Sequence, residues 1–231
     1  MTLLSTRRVG SLSLLAAGAV LALATALLAT GQTATAIDHR HDHGGDRPVA
    51  RTAAQAAFHD DMRRLWEDHV TWTRLAIVTF ADGSAGFDAT AERLLRNQQD
   101  IGDAIAPFYG AAAGDRLTAL LRDHITIAVE LLQAAKAGDS AALERARASW
   151  YANADDIADL LAAADRTHWP RDVMRAAMRA HLDQTLSEAV HELTGQYEAS
   201  VAKYDEIHHH ILQMADVLSD GILRAFPERF H

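Results

Sequence analysis

The sequence predicts an all-α protein, an antiparallel up-and-down bundle of about six long helices. Three observations predict it. From Phe58 onward the apolar residues recur at spacings of three and four, without sustained alternation of period two. The periodic stretches are separated by turn-forming punctuation at Asp82-Gly83-Ser84, Gly110, Gly138-Asp139, Trp169-Pro170 and Gly195. Connections this short make neighbouring helices run antiparallel.

Taken in order, the first helix is expected near 58–80, with Phe58, Met62, Leu65, His69, Ala76 and Phe80 on one stripe. The second, near 88–109, carries Leu94, Gln98, Ile101, Ile105 and Phe108. The third, near 113–137, carries Leu117, Leu121, His124, Ala128, Leu131 and Ala135. Asp139 follows Gly138 as an N-cap for a fourth helix near 140–164, striped by Leu143, Ala146, Trp150, Ile157 and Leu161. Pro170 suits the first turn of a fifth, near 170–195, with Met174, Met178, Leu182, Thr185, Ala189 and Leu193 facing inward. The sixth, near 198–225, presents Ile207, Ile211, Met214, Leu218 and Ile222. Trp66, Trp72 and Trp150 lie on or beside apolar faces and are expected in the core.

Composition narrows the chemistry. A 231-residue chain with 49% hydrophobic and 23% charged residues is that of a folded protein, not a disordered or collagen-like one. The absence of cysteine removes thiolate zinc sites, iron–sulfur clusters, thiol nucleophiles and disulfides, so a metal would have to be held by His, carboxylate or main-chain ligands. The net charge of −9 argues against binding a phosphate backbone, and no nucleic-acid partner is expected.

Residues 1–36 read as an export signal: Arg7 and Arg8, an apolar run from Leu12 to Ala29, then Ala34-Thr35-Ala36 as a small-residue cleavage pattern. A secreted or extracytoplasmic protein is expected. The apolar run also reaches spanning length, so an uncleaved anchor through residues 9–29, the only membrane contact the sequence suggests, is the rival reading. Cleavage after Ala36 would expose Ile37-Asp38-His39, where the amine, two amides and an imidazole suit weak square-planar Cu or Ni binding, with His41 and His43 just beyond. Residues 37–57 otherwise read as a His-rich disordered tail before a bundle domain at 58–231.

The most informative pattern is a spacing. His69, Asn97, His124, Asn153, His181 and His210 are separated by 28, 27, 29, 28 and 29 residues, each near the middle of its helix. Mid-helix positions of an antiparallel bundle share one height, so the six converge on one core layer. A buried imidazole or carboxamide without a partner costs about 1–3 kcal/mol, so such a layer must be hydrogen-bonded, hydrated or coordinated. His69, His124, His181 and His210 are the candidate ligands of a transition metal (Cu, Zn or Ni), with Asn97 and Asn153 orienting them. A polar layer that only fixes helix register is the competing explanation.

Other motifs fail. Glu188-x-x-His191 and Glu206-x-x-His209 match di-iron spacing but sit on consecutive helices, with His191 and His209 turned from the apolar faces. There is no P-loop, dinucleotide fingerprint, nucleophile elbow or His-Glu-x-x-His.

The segments Trp66 to Arg74, Asn97 to Gly110, Leu117 to Ala128, Trp150 to Ala158 and His210 to Ile222 resemble an exported all-helical family of actinomycetes and bacilli. The resemblance spans about residues 58–230 and implies the same helical fold, without an established activity. The sequence therefore favours an exported, non-catalytic bundle binding a metal ion or small ligand at its mid-core layer. The alternative is a structural or interaction module of the cell envelope, contacting a protein partner, with an inert layer. An enzyme using the same imidazoles has only those residues in its favour. A cavity beside His69 and His124 would favour a ligand or an enzyme; a sealed, fully hydrogen-bonded layer would favour the structural module.

Overall fold

The computed structural model describes residues 51–231. The expected leader at 1–36, and Ile37, Asp38, His39, His41 and His43 of the tail, lie outside the described residues. Six helices make the domain: α1 Ala53–Ala81, α2 Phe87–Tyr109, α3 Ala111–Ala137, α4 Ser140–Ala164, α5 Arg171–Leu193 and α6 Tyr197–Ala225, followed by a 3₁₀ turn at Pro227–Arg229. Each packs against the next, α6 returns to pack against α1, and α1 also meets α5. The result is an all-α bundle closed into a ring around one core. Among the described residues no helix is long and apolar enough to cross a membrane.

The helix starts follow local chemistry. α1 begins at Ala53, ahead of the expected Phe58, so the domain includes residues assigned above to the tail. Its start is fixed by a capping box: the Thr52 hydroxyl accepts from Gln55 N at 3.2 Å, and Gln55 Oε1 accepts from Thr52 N at 2.9 Å. Thr52 Oγ1 also donates to Phe230 O at 3.1 Å, tying the beginning of the ring to its end. Gly138 takes the left-handed conformation at φ 71° that closes α3, and Asp139 caps α4 by accepting from Ala142 N at 2.9 Å, both as expected. Pro170 stands one position outside α5, at its N-cap, rather than within the first turn.

Packing fills the ring. Met62, Trp66, Ile101, Leu121, Trp150, Ile157, Leu182 and Ile211 belong to one continuous buried cluster. Trp72 is only half-buried, with the Arg93 guanidinium 5.1 Å from its ring centre. Trp169, which reads as inter-helix punctuation, is fully buried, and its indole nitrogen donates to Val217 O at 3.3 Å.

α2 and α3 cross with backbone against backbone. A Cβ on Gly102 would lie 2.0 Å from Thr118 Oγ1 and 2.7 Å from Gly114 O, and one on Gly114 would lie 2.7 Å from Gly102 O. A glycine-to-alanine change inside a helix normally gains about 1 kcal/mol. Gly102→Ala should instead destabilise the protein by about 1–3 kcal/mol, because the obstructing carbonyl cannot rotate away. Urea unfolding of the variant should show a lower midpoint at unchanged slope, and a raised midpoint would contradict this crossing.

Candidate functional site

The three helical hairpins α1–α2, α3–α4 and α5–α6 each bring a histidine from the first helix and a polar side chain from the second to mid-height. One bond recurs in all three. Asn97 Nδ2 donates to Leu65 O, Asn153 Nδ2 to Leu120 O and His210 Nε2 to Ala177 O, each at 3.0 Å. Those carbonyls lie one helical turn before His69, His124 and His181. The equal spacing in the sequence is thus a threefold structural repeat, with His210 standing where the other hairpins carry asparagine. With Nε2 bound to a carbonyl, His210 supports the layer rather than facing its centre.

Asparagine does two jobs where His210 does one. In α3–α4 the amide oxygen of Asn153 lies 2.9 Å from His124 Nδ1. In α1–α2 the neighbouring Gln98 supplies the contact, with Nε2 3.3 Å from His69 Nδ1, 2.8 Å from Leu94 O and 3.3 Å from Asn97 Oδ1. In α5–α6 nothing answers the imidazole, and His181 Nδ1 is buried without a hydrogen-bond partner.

His69, His124 and His181 are each 3% exposed and close together. The ring centres of His69 and His181 are 5.7 Å apart and those of His124 and His181 6.5 Å, while Trp150 stacks on His124 at 5.1 Å. Burial, with His124 nearby, pushes His69 from its ordinary 6.5 down to about 3, and burial pushes His124 down to about 4. His181 is pushed well below its ordinary value by burial and by facing the other histidines. All three are neutral at pH 7.

The three imidazoles line a cavity of about 50 Å³ that continues between α1, α2, α3 and α5. Ile77, Ile125, Leu132 and Leu186 make its apolar wall, and Thr185 stands among the lining residues with its hydroxyl buried and without a partner. Among the described residues no group of three His, Asp or Glu side chains is arranged to hold a metal ion. Asn153 meets His124, whereas Asn97 meets Leu65 O and Gln98, and it is Gln98 that meets His69; the sequence stripe includes Gln98 without indicating that contact.

A second polar cluster escapes sequence reasoning. Arg74 of α1 donates to Glu188 Oε1 at 2.9 Å and lies 3.1 Å from Glu192 Oε2, both on α5. Ser200 of α6 donates to Glu192 Oε2 at 2.6 Å and also bonds Arg74. Glu188 and Glu192 are 1% and 6% exposed, so two carboxylates share one guanidinium out of water. Burial outweighs the pull of Arg74 and raises Glu188 from 4.5 to about 7. Glu188 is therefore occupied by an ion pair rather than joined with His191 at a metal. The available signal was periodicity: His181, Thr185, Glu188 and Glu192 follow one inward stripe of α5. His208 meets Glu67 at 3.0 Å on the outside, and His209 is exposed.

No family model, curated protein or solved structure matches the chain.

Proposed function

We propose that this protein binds a small, neutral, largely apolar molecule in the cavity floored by His69, His124 and His181. The observation that carries the reading is the cavity itself, bounded by uncharged imidazoles and aliphatic side chains where a purely structural layer would be sealed. Binding is the activity proposed, since no hydrogen bond joins the Thr185 hydroxyl to an imidazole of the cavity. The expected export signal makes the ligand one met outside the cytoplasm.

Methyl NMR of the chain under xenon tests this. Shifts should appear at Ile77, Ile125, Leu132 and Leu186 and be lost when Ala128→Leu fills the cavity from α3. Absence of xenon-dependent shifts at these methyls would overturn the proposal.

A metal ion is the second reading, favoured by His124, whose Nδ1 is anchored on Asn153 in the way a ligating imidazole is held. It requires the rings to draw together. Elemental analysis should then find stoichiometric Cu, Zn or Ni that His124→Ala removes; metal content unchanged by that substitution would exclude the layer as the site.

A further inference from the structure

Resting on that reading, we infer that the cavity selects a short-chain alcohol, a neutral molecule whose hydroxyl sits against His124 and whose alkyl end lies on the aliphatic wall. The argument begins at Asn153. Its Nδ2 lies 3.0 Å from Leu120 O, which only accepts, so the amide orientation is set and the oxygen end faces His124. An oxygen there requires Nδ1 of His124 to carry the ring proton. A neutral imidazole has one such proton, so Nε2 is a lone-pair acceptor. Whatever meets it must bring a hydrogen.

A donor comes from elsewhere in the same cavity. Gln98 Nε2, oriented by Leu94 O at 2.8 Å, faces His69 Nδ1, which accepts and leaves the proton on Nε2. The site thus offers an acceptor and a donor with no formally charged side chain in its lining.

A hydroxyl is the smallest group that donates and accepts through one atom. A carboxylate has no hydrogen for His124 and would enter without a counter-cation, an ammonium would enter without a counter-anion, and an alkane would leave His124 unanswered. Size sets the chain length. The cavity of about 50 Å³ is about a third of one that accepts benzene, which suits two or three non-hydrogen atoms.

The experiment is a methyl-NMR titration of the whole chain with xenon, propane, ethanol and acetate, together with ¹⁵N imidazole shifts to assign the His124 tautomer. Ethanol should bind about tenfold more tightly than its isostere propane, the equivalent of one neutral hydrogen bond, and acetate should not bind. His124 should be protonated at Nδ1. In Asn153→Leu the ethanol preference should fall to that of propane while xenon still binds. Equal binding of propane and ethanol, an Nε2-protonated His124, or an ethanol preference that survives Asn153→Leu would overturn the inference and leave the cavity reading standing. Failure of xenon, propane and ethanol alike would overturn both.

Discussion

Acidification should unfold this protein between about pH 6 and pH 4. His69, His124 and His181 are held neutral in the folded state, with the first two pushed to about 3 and about 4, whereas all three ionise near 6.5 once exposed. A lowered histidine contributes stability that is complete above the unfolded value and is lost as pH falls through it. Each removes about 1.4 kcal/mol per pH unit below 6.5. Glu188 acts in the opposite sense: raised from 4.5 to about 7, it holds a proton that the unfolded chain releases, and its contribution is lost as pH rises across that interval. Three histidines against one glutamate leave a net uptake of about two protons on unfolding, a slope of about 3 kcal/mol per pH unit, and His210, also lowered by burial, adds in the same sense. Domains are stable by about 5–15 kcal/mol, so a few pH units suffice. Tryptophan fluorescence against pH, with proton uptake measured alongside, checks this. A fold persisting to pH 3 would contradict neutral burial of the layer, and His181→Met should lower the slope by about one proton.

Arg74→Ala should be among the most damaging single substitutions, costing about 3–5 kcal/mol at pH 8, because it leaves Glu188 and Glu192 together in the interior without their counter-charge. Breaking a buried ion pair costs more than never having made it, so a second change should restore much of the loss: Arg74→Met with Glu188→Gln should be markedly more stable than Arg74→Met alone. pH separates this mechanism from simple loss of packing. Protonation of Glu188 relieves the uncompensated charge, so the deficit against wild type at the same pH should shrink from pH 8 to pH 6. Thermal melts at both values decide the matter, and a deficit independent of pH would point to packing alone.

Much of the architecture is legible in the sequence because apolar spacing and turn residues report directly on helices. The near-constant interval from His69 to His210 likewise marks one layer, since helices of similar length joined by tight turns bring their midpoints together. The Arg74 cluster is not legible in that way. Arginine and glutamate usually mark a solvated face, and Glu188 and Glu192 reveal themselves as internal only when α1 and α6 are brought against α5. The earlier start of α1 was hidden for a different reason: residues 53–57 lack large apolar side chains, and the boundary is written instead in the Thr52–Gln55 cap. Trp169 was obscured by the adjacent Pro170, for nothing in the sequence says that Gly221 leaves space against its indole ring.

The repeated 3.0 Å bond from the second helix of each hairpin to the carbonyl one turn before the histidine works as a detent. Aliphatic stripes tolerate sliding, since one leucine replaces another at little cost. Sliding a helix by one residue moves it about 1.5 Å along its axis and turns the polar side chain through about 100°, out of reach of its carbonyl. Each hairpin therefore has a single seated position, and the three positions lie at one level. The cavity begins at that level, so its depth is set by three hydrogen bonds and not by the compliance of the apolar walls above them.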